Sequence, residues 1–258
     1  MKVALELDTA GFATLTIDHV EKRNALTADM RRQMEDHLRA AMSDDNVRAL
    51  ILTGAGGMFC AGVDVDHLKQ RGITGARARY RDAVLPFVRA LAKFDKPVIA
   101  AVAGPAVGIG WSLALASDII LAGASARFGS PFTRLGLAPD GGLVYFLTRR
   151  AGLTKAKDLV FSGRTIGAEE ALQSSLVNQV LPDADLLPTA RKMAADFAAG
   201  ATFAYQLTKR LFHVSDATTL DEYLEAELLI QPQLMESEDH QEGLAAFRAK
   251  RKPDFKGR

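Results

Sequence analysis

Gly104-Pro105-Ala106-Val107-Gly108-Ile109-Gly110-Trp111, together with the earlier Phe59-Cys60-Ala61-Gly62-Val63-Asp64, is the part of the sequence that decides how this chain folds. Each stretch follows an apolar, strand-like run, at 97–102 and 49–53 respectively. A strand that hands over to a glycine loop leaves backbone N–H groups in need of partners. Glycine also removes the side-chain bulk that would keep a ligand off the backbone. A helix beginning near Gly108 points its free N–H groups and its positive dipole end back at the loop. An N–H from Ile109 and one from Val63 can then converge on one oxygen and stabilise charge developing there. Ordinary glycine turns after strands would look the same by composition.

Working outward, residues 3–7 and 13–17 alternate and are joined by Thr9-Ala10-Gly11, which predicts a hairpin. A helix is expected next, with Thr27 as N-cap, Asp29 in the first turn, and Met30, Met34, Leu38 and Met42 repeating every fourth residue. Tyr80, Val84, Phe87, Val88 and Leu91 predict another helix, kinked at Pro86. Helix-like 111–116 leads to an apolar run at 119–122. Strands alternating with helices predict an α/β fold. Beyond about residue 150 the texture changes: 160–161 and 177–180 are the last short apolar runs, and the remainder is helix-patterned. Thr219 and Glu222 have capping-box spacing, and Ser237 heads a last helix with Glu238 and Asp239 in its first turn. The expected division is a core over 1–200 and a helical C-terminal section over 201–258.

Bulk properties narrow the function classes. Of 258 residues, 48% are apolar, enough for a sizeable core. Lys and Arg number 32 against 31 Asp and Glu, so the formal charge of +1 argues against nucleic acid or a membrane surface as partner. The single cysteine, Cys60, excludes an internal disulfide and fits a reducing compartment. The N-terminus alternates and carries acids, unlike a signal peptide, and the longest apolar run, 97–103, is far short of a membrane span. A cytoplasmic protein is the expectation. The five histidines show no metal-ligand spacing, so no metal is implied.

The two loops, read as Phe59-Cys-Ala-Gly-Val-Asp64 and Ala106-Val-Gly-Ile-Gly-Trp-Ser-Leu-Ala114, resemble the oxyanion loops of the crotonase, or enoyl-CoA hydratase/isomerase, superfamily. Arg23-Asn24-Ala25-Leu26 is similar to that family's early CoA-contacting segment, and Ala116-Ser117-Asp118-Ile119 to the stretch after its second oxyanion loop. The tail from Ser237 through Phe247-Arg-Ala-Lys-Arg251 to Arg258 resembles its C-terminus. The resemblance runs in order over nearly the whole chain. It implies a spiral of ββα units with a helical C-terminal section, acyl-CoA thioester substrates, and a homotrimer or dimer of trimers. It implies coenzyme A as part of the substrate and no permanently bound cofactor. It makes the N–H groups of Val63 and Ile109 the oxyanion donors for a thioester enolate. Arg23, Ala25, Ala61, Gly62, Asp64, Gly108, Gly110, Ser112, Phe132, Phe247 and Lys250 become candidates for substrate or CoA contact.

The chain departs from the family's hydratases, which use two glutamates to position and activate water. Ser112 stands at the first place and Phe132, after Ser130-Pro131, at the second. Neither can do carboxylate work, and Phe132 makes a water site apolar. An acid is available instead in Leu135-Gly-Leu-Ala-Pro-Asp140-Gly-Gly142, which resembles the P-D/E-G-G loop of family isomerases acting on 3-enoyl-CoA or on ring epoxides of phenylacetate degradation. One carboxylate suffices for a double-bond shift, taking a proton from C2 and returning it at C4. Pro-Asp-Gly-Gly as a plain turn with an Asx bond is the alternative. Fatty-acid breakdown and aromatic-acid degradation both fit.

Other features have quieter readings. Asp64 could cap a short helix over 65–69 or line the pocket, and His67 reads as solvent-facing. Ser112 could orient substrate or be a satisfied helix residue. Trp111 and Cys60 read as packing residues. The basic tail from Arg248 to Arg258, with Asp254 as its one acid, reads equally as a solvated end or, through Phe247 and Lys250, as a CoA contact. Gly110-Trp-Ser112-Leu-Ala114, followed by Asp140 and His240, approaches a serine-hydrolase elbow, but its fifth position is Ala. A dinucleotide site fails for want of a third glycine at Leu113. A non-catalytic acyl-CoA-binding relic is the reading from another class, motivated by Ser112 and Phe132.

Overall fold

The hairpin forms as the turn signal predicts: β1 (Lys2–Leu7) pairs antiparallel with β2 (Phe12–Asp18), Leu7 opposite Ala13. The structure, a computed structural model, describes residues 1–64 and 72–258. The proposed cap at Asp64 of a helix over 65–69, and His67, fall on or against the segment outside the described residues.

From β2 the chain crosses through α1 (Ala28–Ser43) to β3 (Ala49–Gly54), then through α2 (Gly72–Ala83) and α3 (Leu85–Ala92) to β4 (Val98–Val102). Thr27 caps α1, its side chain accepting from Met30 N–H at 3.2 Å. The single kinked helix expected over 80–91 is two helices: the chain breaks at Val84, and Pro86 sits in the first turn of α3. There its missing N–H removes no helical bond.

After β4 the pattern repeats. β5 (Pro105–Val107) and α4 (Ile109–Ala116) lead to β6 (Ile119–Gly123); β7 (Arg127–Gly129) and α5 (Leu143–Ser162) follow. β8 (Thr165–Gly167) and α6 (Ala168–Gln173) then lead to β9 (Gln179–Leu181) and α7 (Asp183–Ala198). Six strands form one sheet, β1-β2-β3-β4-β6-β9, parallel after the first pair. β5, β7 and β8 form a second sheet, extended by a bridge between Cys60 and Ala106. From β4 onward the strands alternate, β4, β6 and β9 joining the first sheet and β5, β7 and β8 the second.

β5, β7 and β8 were not expected, because three residues are too few to show alternation. The apolar pair at 160–161 belongs instead to the last turn of α5, where Leu159 and Val160 are buried and Phe161 faces out. A short apolar run does not distinguish helix from strand without its flanks.

The large sheet is buried on both faces. Leu15, Leu50, Leu52, Val98, Ala100 and Ile120 join the main core with α1, α3 and α4. Phe12, Ala49, Ile51, Ile99, Ala101 and Leu121 pack on Leu186, Ala190, Ala194 and Ala198 of α7. The last three α7 positions recur every four residues, so small side chains lie along one stripe and the helix sits close to the sheet.

The C-terminal section is helical: α8 (Thr202–Ser215), α9 (Leu220–Met235) and α10 (Glu238–Ala249). The capping box at Thr219 and Glu222 forms, and Ser237 caps α10. The basic tail is not a free end. Asp239, 4% exposed, accepts from Lys256 N–H at 2.6 Å and Gly257 N–H at 2.8 Å. Arg48 donates to Thr202 Oγ1, Gly200 O and Phe255 O, tying the core to α8 and the tail.

Candidate active site

The first loop is strung between two neighbours. On one side Phe59 N–H donates to Ala103 O (2.7 Å), Cys60 N–H to Pro105 O (2.8 Å) and Val107 N–H to Cys60 O (3.0 Å). On the other, Ala61 N–H donates to Arg23 O (3.0 Å), Leu26 N–H to Gly62 O (2.8 Å) and Asp64 N–H to Leu26 O (3.2 Å). The parallel bridge between Leu26 and Val63 runs through Leu26's own N–H and C=O. Val63's N–H therefore points to the opposite side, where β5 runs into α4.

The second loop offers another backbone N–H without a helical partner. Ile109 is the first residue of α4, so its N–H has no carbonyl within the helix. Gly108 precedes it with φ 57° and ψ −123°, a conformation that favours glycine. A Cβ on Gly110 would stand 2.3 Å from Cys60 O and 2.9 Å from Cys60 Cβ. Glycine at 110 therefore lets α4 sit directly on the first loop, and this contact sets the spacing of the two donors. Cys60 is fully buried there, and burial pushes its thiol up to about 12, which makes it a packing residue.

Val63 and Ile109 line one cavity of 440 Å³, with Ala61, Gly62, Phe132 and Asp140. Leu135, Leu137 and Val84 make much of its wall apolar. Phe132 lies against Gly108, its ring 3.4 Å from where a Cβ there would stand. Phe132 thus adds an apolar ring to the cavity wall beside Gly108.

Asp140 precedes α5 in a turn made by Gly141 (φ 61°) and Gly142 (φ 80°). A Cβ at Gly141 would stand 2.8 Å from Ile109 Cγ1, so glycine brings the acid loop against the start of α4. Tyr80 on α2 supports the turn, its hydroxyl accepting from Gly141 N–H at 3.2 Å. Asp140 Oδ1 is buried with no hydrogen-bond partner among the described residues. Burial pushes the carboxyl above its ordinary range; Arg31, and then Arg79, pull it back. The turn is closed by the backbone, Leu143 N–H to Asp140 O at 3.0 Å, so the carboxylate is left over for other work.

Ser112 is fully buried, near Gly108 O at 3.4 Å and donating to Asp140 O at 3.1 Å. It fastens the acid loop to α4 and is not among the cavity's lining residues. No histidine lines the cavity among the described residues, so a serine-hydrolase relay has no base there. Trp111 is fully buried against Phe128, as a packing residue.

Several predicted site residues stand elsewhere. Arg23 is exposed; what it gives the site is its carbonyl. Ala25 is buried, and its carbonyl is 2.9 Å from His19 Nδ1. Asp64 lines an adjoining cavity of 280 Å³. Phe247, 84% exposed, and Lys250 lie at the end of α10, away from the cavity lining.

Other residues were not singled out from the sequence. Asn24 is fully buried, and its side-chain amide donates to Ala55 O and Met58 O, holding the approach to the first loop. Arg31, Arg79 and Tyr80 line the cavity. Arg31 had a signal: it stands three residues before Met34 and seven before Leu38, which sets a charge on the buried face of α1.

The chain is similar to known proteins along almost all of its length. The sequence profile of the enoyl-CoA hydratase/isomerase family matches residues 8–258. The chain is 39% identical to a 1,2-epoxyphenylacetyl-CoA isomerase of Escherichia coli (strain K12), covering 96% of each. It is 36% identical to a 2,3-dehydroadipyl-CoA hydratase of the same organism, over 95% of this chain and 94% of the relative. The crystal structure of an enoyl-CoA hydratase from Bacillus anthracis superposes with a TM-score of 0.94 at 30% identity, over 99% of both chains. The two-sheet spiral and its helical C-terminal section are thus the crotonase fold. A profile spanning almost all of the sequence, and relatives matched end to end, lead to one conclusion: the chain belongs to the enoyl-CoA hydratase/isomerase family.

Proposed function

We propose that the chain is an enoyl-CoA double-bond isomerase with Asp140 as its single acid/base. The Asp140 carboxylate removes a proton from C2 of a 3-enoyl thioester. The C–H electrons shift toward the thioester oxygen, giving a dienolate held by the N–H groups of Val63 and Ile109. Asp140 then returns the proton at C4, the carbonyl reforms, and the double bond lies between C2 and C3. The observation that carries this reading is that Asp140 is the one carboxylate among the described lining residues, and its Oδ1 is unbonded. Hydration needs a positioned water as well, and Ser112 and Phe132 stand where acids would hold it.

The test is to give the protein crotonyl-CoA and 3-hexenoyl-CoA separately and follow the conjugated enoyl thioester. Isomerisation of the second with little loss of the first is expected. Fast hydration of crotonyl-CoA would favour the hydratase reading. Turnover of neither would favour a binding-only protein. The resemblance to a 1,2-epoxyphenylacetyl-CoA isomerase keeps an aromatic acyl group as a second substrate candidate.

We further infer a cytoplasmic homotrimer or dimer of trimers, with a core to about residue 200 and a section over 201–258 that assembles copies and covers CoA. Leu220, Leu228 and Leu229 on α9 are 70%, 63% and 72% exposed, an apolar patch suited to burial between copies. Among the described residues no helix is long and apolar enough to cross a membrane. Phe247 and Lys250 would meet CoA away from the acyl cavity, either at its nucleotide end or from a neighbouring copy.

A further inference from the structure

The cavity contains a cation that enolate chemistry does not use. Arg31, on α1, is 4% exposed, and its Nε and Nη1 meet no acceptor among the described residues. A buried guanidinium with donors left unpaired is costly to hold. Its neighbour Arg32 shows the ordinary outcome, a surface pair with Asp29 at 2.9 Å. Arg31 lines both the 440 Å³ cavity and the adjoining 280 Å³ one, and Arg79 lines both with it. The two guanidiniums are close enough to oppose each other's charge. Asp140 is near enough to feel both, yet its Oδ1 and Arg31's Nε and Nη1 all stay unbonded among the described residues. The 440 Å³ cavity thus presents two cations against one carboxylate among its described lining residues.

We propose that Arg31, assisted by Arg79, binds a carboxylate at the distal end of the acyl group, so that the substrate class is a dicarboxylic acid joined to CoA through one of its two ends. A guanidinium offers a planar fork of N–H donors matched to a carboxylate's two oxygens. The apolar wall formed by Val84, Leu135 and Leu137 suits the methylene chain between the two ends. This inference rests on reading the cavity as the acyl site, but not on Asp140's role as a base.

The test uses saturated thioesters, which bind but cannot isomerise. Calorimetry compares succinyl-, adipyl- and suberyl-CoA with butyryl-, hexanoyl- and octanoyl-CoA, and with CoA alone, on wild type, Arg31→Met and Arg31→Lys. In at least one length-matched pair, wild type should favour the carboxylate-ended ligand by about tenfold or more. Arg31→Met should weaken that ligand on the order of 10- to 100-fold, leaving the methyl-ended ligand and CoA within about threefold. Arg31→Lys should retain part of the preference. Arg31→Met should melt no lower than wild type, since it removes a buried guanidinium whose Nε and Nη1 meet no acceptor among the described residues. Absence of preference in every pair overturns the inference. So does an equal loss for both ligand classes, which would mark a fold role, or a loss for CoA alone, which would assign Arg31 to CoA's phosphates. Loss of the preference without loss of 3-hexenoyl-CoA isomerisation would leave the isomerase reading standing; the converse leaves the binding site standing.

Discussion

On the proposed reading Asp140 carries the chemistry in one side chain, and its surroundings explain its state. Burial opposes its charge more than Arg31 and Arg79 favour it, so its pKa lies above the ordinary 3.8. Proton abstraction needs the carboxylate, so kcat/KM should fall as pH drops through that raised value, with Tyr80, Arg31 and Arg79 the other titratable groups lining the cavity. The linkage to stability has the opposite sense. A carboxyl whose folded pKa is raised favours folding in its protonated form, and that advantage is lost as pH rises through the folded pKa. Asp140→Asn should therefore melt higher than wild type at neutral pH, the gain disappearing toward pH 3.8. The same variant should lose about 10²- to 10⁴-fold in isomerisation while still binding a saturated acyl-CoA, by stopped assay and calorimetry respectively. Unchanged isomerisation in Asp140→Asn would sink the catalytic assignment.

At the scale of elements, the site is a junction: the first loop, the start of α4 and the turn before α5 touch through glycines. Gly110→Ala drives a methyl group to 2.3 Å from Cys60 O, where backbone must move. Such overpacking typically costs about 1–3 kcal/mol. The larger effect should be on rate, because Ile109 shifts relative to Val63; losing one oxyanion donor costs about 10²- to 10³-fold in kcat. Single-turnover kinetics with a folded Gly110→Ala check this, and a normal kcat there would separate the donor spacing from catalysis. Ser112→Ala removes the bond to Asp140 O at 3.1 Å. It should cost about 0.5–1.5 kcal/mol, read by urea unfolding, without converting the enzyme to a hydratase.

Over the whole molecule, the C-terminal section closes back on the core. Asp239→Ala would free Lys256 N–H and Gly257 N–H from the buried carboxylate that holds them. The loss should be about 1–3 kcal/mol, with earlier proteolytic trimming of the tail as its signature. If the end of α10 meets CoA, KM for thioesters should rise while kcat changes little. The α9 patch belongs to this scale too: replacing Leu228 with Lys should lower the mass seen by light scattering if copies assemble there.

By itself the sequence determined the strand–loop–helix grammar of the site. Glycines 62, 108 and 110, the cap at Thr27, the hairpin over 3–17 and the capping box at Thr219 depend on local backbone preferences, and local preferences are written in adjacent residues. The absence of carboxylates at 112 and 132 was equally plain. Only the tertiary structure decided the rest. Three-residue strands β5, β7 and β8 exist because the spiral supplies their partners. Ser112 is a fastener because the acid loop folds over it. The spacing of Arg31 to Met34 and Leu38 puts it on the buried face of α1, but only the tertiary packing decided that this face opens on the cavity. Burial and long-range pairing depend on residues far apart in the chain, and no local pattern contains them.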